Sequence, residues 1–163
     1  MKIKIFITGG TIDCQKIDSK IQQYIFTETH LPQMLEQGRN RTEVDLETLM
    51  LKYSLYMTDA DRKLILEKCR EIPEDKIVIT YGTDTMVETA TILGKNIKNK
   101  TIVLLGAMTP FVFKNSDALF NLGAAITVVQ ILPKGVYIAM NGKIFTWDNV
   151  RKDKKLGEFK TLK

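Results

Sequence analysis

The chain has 163 residues, a formal net charge of +5, 44% hydrophobic and 26% charged residues. That usage argues against a disordered chain, a coiled-coil rod or a collagen-like repeat. A mass of 18.6 kDa suits one domain that buries about 70% of its extended-chain surface. Cys14 and Cys69 are far apart and His30 is the single histidine. A disulfide framework and a histidine-rich zinc site are therefore not indicated, and two reduced thiols in a cytoplasmic protein are expected. Residues 150–163 hold six basic and two acidic side chains, so most of the positive charge belongs to the tail. A broad nucleic-acid footprint is not suggested. Residues 1–7 are too short and too interrupted by lysine for a signal peptide, and no run approaches a membrane span.

Residues 2–8 alternate lysine with isoleucine and then turn wholly apolar. They predict a strand that starts exposed and runs into a core, ended by Gly9-Gly10. The polar stretch 11–20 reads as a loop. Residues 31–37 predict a short helix stopped by Gly38. Residues 42–51 fit strand or helix; one strand near Val44 and a second over 50–55 are favoured. Thr58 can cap a helix whose first turn holds Asp59 and Asp61, with Leu64, Ile65, Cys69 and Ile72 at helical spacing and Pro73 closing it. Residues 76–81 carry the continuous apolar run of a buried parallel strand. Residues 84–96 predict a helix with Met86, Ala90, Leu93 and Ile97 on one stripe. A strand over 101–105, a helix over 117–130 and a strand over 136–140 follow. Asn141-Gly142 is a hairpin dipeptide that would pair residues 143–146 with the last of these. The tail after Val150 reads as loop. Strands and helices alternate over short links, which predicts an α/β fold. It is a doubly wound, mostly parallel sheet with helices on both faces, flavodoxin- or Rossmann-like.

In such sheets ligands bind beyond the carboxyl ends of the strands, where strand order reverses. Thr8-Gly9-Gly10-Thr11 follows the first strand, Gly82-Thr83-Asp84-Thr85 the middle one and Gly106-Ala107-Met108 the next. Two of these turns set hydroxyls beside glycine. Each alone could be a tight turn or an N-cap. Neither G-x-G-x-x-G nor a P-loop occurs, so nucleotide binding has weak support. A threonine hydroxyl becomes a nucleophile only when a base removes its proton. With one histidine in the chain, the bases at hand are lysine, a carboxylate or tyrosine, and a threonine–lysine–carboxylate set suits this inventory.

Ile7-Thr8-Gly9-Gly10-Thr11-Ile12 and Tyr81-Gly82-Thr83-Asp84-Thr85-Met86 resemble the two signature segments of the bacterial-type L-asparaginase (asparaginase/glutaminase) family. Glu88-Thr89-Ala90 extends the second. Gly106-Ala107-Met108 with Pro110, Ser116-Asp117 and Phe120-Asn121-Leu122 is similar to the segment that follows in the family. The resemblance implies an amidohydrolase that converts L-asparagine, and in some members L-glutamine, to the acid and ammonia through an acyl-enzyme. By that resemblance Thr11 is the nucleophile and Tyr24 activates or orients it. Thr83 is linked to Lys152, and Asp84 also holds the substrate's amino group. Ser54 binds the α-carboxylate, with Leu55, Gly82 and Ala107 as further substrate contacts. Backbone N–H groups at the two turns would stabilise the oxyanion.

No metal and no cofactor are implied. The expected partners are a small-molecule amide substrate and further copies of the chain, as a homodimer or higher homo-oligomer, with no nucleic acid and no membrane. Leu55 and Tyr56 stand where the family usually has Gln and Asp, Tyr81 where it has His, Val87 where it has Glu and Thr109 where it has Arg. Family members normally carry a second, C-terminal domain. Residues 1–163 read as a single domain of the N-terminal type, and residues 11–20, with Tyr24 beyond them, as a mobile lid. The alternative is a non-catalytic homolog that binds an amino acid or amide.

Overall fold

The computed structural model describes residues 1–18 and 23–162, and of residues 17, 18, 23 and 24 the backbone alone. In chain order the strands and helices are β1 (Ile3–Gly9), β2 (Lys16–Asp18), β3 (Gln23–Ile25), α1 (Leu31–Gln37), β4 (Val44–Lys52), α2 (Asp59–Glu71), β5 (Lys76–Thr80), α3 (Met86–Asn96), β6 (Thr101–Leu105), α4 (Ala118–Ile131), β7 (Gly135–Met140), β8 (Lys143–Thr146), β9 (Arg151–Asp153) and β10 (Glu158–Lys160). Six strands form one sheet in the order β4-β1-β5-β6-β7-β8. Its pairs are parallel except for the β7–β8 hairpin. The chain leaves β1 toward β4 on one side and returns to β5 on the other. Strand order therefore reverses at β1, and the crevice between β1 and β5 is the switch point.

Successive strand residues face opposite layers. Phe6, Ile77, Ile79, Ile102, Leu104 and Ile138 pack against Ile65 and Cys69 of α2 and Met86, Ala90 and Leu93 of α3. Ile3, Ile5, Ile7, Val78, Val103 and Leu105 pack against Leu31 and Met34 of α1 and Leu122, Ala125 and Val129 of α4. Helices cover both faces, as the alternating elements predict, and the stripe of Met86, Ala90, Leu93 and Ile97 is buried as expected. Asn141 and Gly142 both take positive φ, which is the type I′ turn that their dipeptide signals. Thr58 caps α2 through a capping box, its hydroxyl accepting from the Asp61 amide while the Asp61 carboxylate accepts from the Thr58 amide.

Four local expectations are corrected. Residues 11–20 are not one polar loop: Thr11–Asp13 form a buried 3-10 turn and Lys16–Asp18 pair with β3, while residues 19 and 20 lie outside the described residues. Residues 44–55 hold one strand, β4, followed by a 3-10 turn over Ser54–Tyr56, rather than two strands. A bulge between its Thr48 and Lys52 registers takes up the extra residues. In α2, Leu64 is partly exposed, and Leu66 joins Ile65 and Cys69 in the core.

The tail after Val150 is a hairpin, β9–β10, not a loop. The Asp153 carboxylate accepts from the Lys155 and Leu156 amides, and Gly157 takes positive φ, which together make its turn. Phe159 and Val150 anchor this hairpin in the core, Phe159 against Phe145.

Candidate active site

Thr8 and Thr11 of the first turn have different surroundings. The Thr8 hydroxyl donates to the Thr80 carbonyl at 2.6 Å, tying β1 to β5 at their carboxyl ends with no exposed surface. Thr11 lies beyond the glycines at the start of the next 3-10 turn and keeps a small exposed fraction. Gly10 has φ +81° and touches the backbone of Gly82; a Cβ there would overlap that backbone. This close approach makes the two threonine turns neighbours although they lie far apart in the chain. A Cβ on Gly82 would in turn overlap the Ser54 side chain.

Lys152 reaches the second turn from β9. Its Nζ donates to Thr83 Oγ1 at 2.8 Å and to Asp84 Oδ1 at 2.6 Å. Because Thr83 Oγ1 accepts from Lys152, its own proton points elsewhere. Burial alone would raise the Asp84 pKa, but the hydrogen bonds from Lys152 and Tyr53, with the charges of Lys152 and Lys154, outweigh it and hold the carboxyl below its ordinary value. The Tyr53 hydroxyl donates to Asp84 Oδ2 at 2.9 Å. Ser54 is fully buried below the turn: its hydroxyl accepts from the Asp84 amide at 3.3 Å, and its carbonyl accepts from the Thr85 hydroxyl at 2.8 Å. Two turn amides are thus engaged, Asp84 with Ser54 and Gly10 with the Lys52 carbonyl.

Among the other sequence-derived candidates, Leu55 is exposed on the turn after Ser54, and Ala107 is fully buried after β6. The backbone of Tyr24 pairs with Ile17 in the β2–β3 hairpin; its side chain is outside the described residues. His30 is half-buried, its ring 5.8 Å from that of Phe111. Its amide and the Thr29 hydroxyl both donate to the buried Asp13 Oδ1, which fastens the Thr11–Asp13 turn to the start of α1. Cys14, placed by sequence in a lid, is buried, and burial raises its thiol pKa. Tyr53 and Lys154 are site neighbours that sequence reasoning did not assign. Tyr53 directly precedes Ser54, which was the available signal; which way its ring turns is set only by tertiary packing.

The switch point of this parallel sheet thus carries two threonines set beside glycines, one of them joined to a lysine and a carboxylate. The family model "Asparaginase, N-terminal" matches residues 2–158, and the chain belongs to that family. The L-asparaginase of Thermococcus kodakarensis is 32% identical over 96% of this chain and 49% of its own length. A glutamyl-tRNA(Gln) amidotransferase component from Methanococcus vannielii is also 32% identical, over 87% of this chain and 34% of its own. The solved structure of the thermostable T. kodakarensis L-asparaginase superposes with a TM-score of 0.85 at 29% identity, over 99% of this chain and 51% of that one. A probable cytoplasmic L-asparaginase of Campylobacter jejuni gives a TM-score of 0.78 at 34% identity, over 98% and 51%. The chain spans about half the length of the T. kodakarensis and C. jejuni proteins. No helix of the described residues is long and apolar enough to cross a membrane.

Proposed function

We propose that the chain is an amidohydrolase of the asparaginase type, releasing ammonia from a small ω-amide such as the side chain of L-asparagine or L-glutamine. The observation that carries this reading is the Lys152–Thr83–Asp84 contact set beside the close Gly10–Gly82 approach, Thr11 following Gly10 in the chain. Thr11 Oγ attacks the amide carbonyl carbon and its proton is passed to the leaving nitrogen. The C–N bond breaks and ammonia departs, leaving an ester on Thr11. Water, oriented by Thr83 with Lys152, then cleaves the ester to the carboxylate and restores the hydroxyl. Asp84 keeps the Lys152 chain end in place on Thr83. Tyr24 orients Thr11, and Ser54, Gly82, Leu55 and Ala107 shape the substrate side. Residues 1–163 act as one domain, and copies of it associate. Two free, buried thiols fit a cytoplasmic setting.

The test is ammonia release from L-asparagine, D-asparagine, L-glutamine and short ω-amides by wild type and Thr11→Ala. Release from at least one amide, lost in the variant by about 10³-fold or more, is expected. No release from any amide, with amide binding still measurable, would support the non-catalytic reading instead.

A further inference from the structure

Lys152 serves two acceptors, Thr83 Oγ1 at 2.8 Å and Asp84 Oδ1 at 2.6 Å. Its place on Thr83 therefore depends on which way the Asp84 carboxylate turns. An aspartate carboxylate is a loose anchor by itself, because the torsion that rotates it is broad and roughly two-fold. Rotation would let both oxygens share the lysine Nζ at the expense of its bond to Thr83. In this fold a second donor opposes that rotation: the Tyr53 hydroxyl meets Oδ2 at 2.9 Å. With Lys152 on one oxygen and Tyr53 on the other, the plane of the carboxylate is set from two sides. Each oxygen keeps a further lone pair for a substrate group.

Tyr53 is itself held. Its carbonyl accepts from the Tyr56 amide at 2.9 Å, and its ring meets that of Tyr56 edge-on, centroids 5.8 Å apart and planes at 73°. The turn at 53–56 is also fastened to the turn at 82–85 by other means. The Ser54 hydroxyl accepts from the Asp84 amide at 3.3 Å and the Ser54 carbonyl from the Thr85 hydroxyl at 2.8 Å. Gly82 lies so close to Ser54 that a Cβ would overlap it. What the phenol hydroxyl adds to this docking falls on the Asp84 carboxylate, as a bond to a charged acceptor, the stronger kind.

We propose that Tyr53 is a positioning residue for the hydrolysis: its hydroxyl fixes the Asp84 carboxylate so that Lys152 stays on Thr83 during turnover. The role rests on the amidohydrolase reading above. Tyr53 acts through Asp84 and Lys152, and the chemistry at the amide is unchanged, ammonia leaving and water adding.

The experiment compares wild type, Tyr53→Phe and Thr85→Val of the full chain. It measures kcat and KM for ammonia release from L-asparagine, L-glutamine and succinamate, and titrates the Asp84 carboxyl by NMR. Tyr53→Phe keeps the ring and its contact with Tyr56 and removes the hydroxyl alone. It is expected to lower kcat by about tenfold, the weight of one hydrogen bond to a charged group, with KM within about twofold of wild type. The Asp84 midpoint and the acid limb of kcat should both move to higher pH, because the ionised carboxyl has lost a donor while Lys152 and Lys154 stay in place. Thr85→Val removes a fastening of the same two turns that does not touch the carboxylate, and should leave the Asp84 midpoint where it is. An unchanged kcat and midpoint in Tyr53→Phe, or equal shifts of the midpoint in both variants, overturns the positioning role and leaves the amidohydrolase reading standing. No ammonia from any of the three amides with wild type overturns that reading, and the role of Tyr53 in turnover with it.

Discussion

Lys152 and Thr83 stand 69 residues apart in the chain and 2.8 Å apart in the fold. No spacing rule links them; the link came from the resemblance of the two threonine turns to a family, and the geometry then joined Lys152, Thr83 and Asp84. Tyr53 shows the opposite case. Its residue type was in view beside Ser54, yet its hydrogen bond to Asp84 depends on how the 53–56 turn sits against the turn at 82–85. Lys152→Met removes the donor to both Thr83 and Asp84 while keeping the chain's length. Loss of turnover by about 10²–10⁴-fold, the usual weight of a proton-transfer group, is expected in steady-state assays.

Asp84 should ionise below the ordinary aspartate value of 3.8, because its lysine and tyrosine partners outweigh burial. A depressed folded pKa gives stability that is present above the unfolded value and lost as pH falls through the folded one. The pair with Lys152 therefore holds across neutral and mildly acidic pH and breaks only below about pH 3.8. An NMR titration of the Asp84 carboxyl checks this, and a midpoint above 3.8 would count against the geometry.

At the scale of elements, the strongly patterned segments were legible. Apolar runs at 77–79 and 102–105 became central strands, and the Thr58 cap, the Asn141-Gly142 turn and the Gly38 stop all stand where their chemistry puts them. Weakly patterned segments were not. β4 is an edge strand, half-buried along most of its length, whose Asp45 and Glu47 pair with Lys4 across the sheet. Its mixed polarity imitates a helix as readily as a strand. β9 and β10 have three residues each, too few for any period to show, and their turn depends on one aspartate side chain. α2 tests the capping chemistry. Thr58→Ala removes the acceptor for the Asp61 amide and should cost about 1 kcal/mol in a urea melt, without touching the site cluster. A loss of only a few tenths would mean that the Asp61 carboxylate caps the helix end alone.

Over the whole molecule, α4 stands apart. Its sequence from Ala118 to Ile131 carries no charged residue, which a period of 3.6 cannot divide into wet and dry faces. Leu122, Ala125 and Val129 are buried, but Phe120 is 63% exposed and Ile131 78% exposed on the opposite side. Apolar side chains uncovered on a surface helix favour association. A second copy of the chain is the expected cover. Light scattering should give a mass above 18.6 kDa, and Ile131→Lys should move it toward the monomer. A monomer in wild type at working concentration would contradict this. The doubly wound architecture itself was readable from the order of strands and helices, because local periodicities and short links all agreed on it. Where its crevice lies was not, since the crossover of β1 to β4 and back to β5 shows only in the folded sheet.

The central claim is that Thr11 carries the acyl group during turnover. Rapid acid quench during ammonia release from the best amide, followed by peptide mass mapping, addresses it directly. The expected result is the acyl mass on the peptide that contains Thr11, absent in Thr11→Ala. Steady turnover with no adduct on that peptide, or with the adduct on another residue, would contradict it.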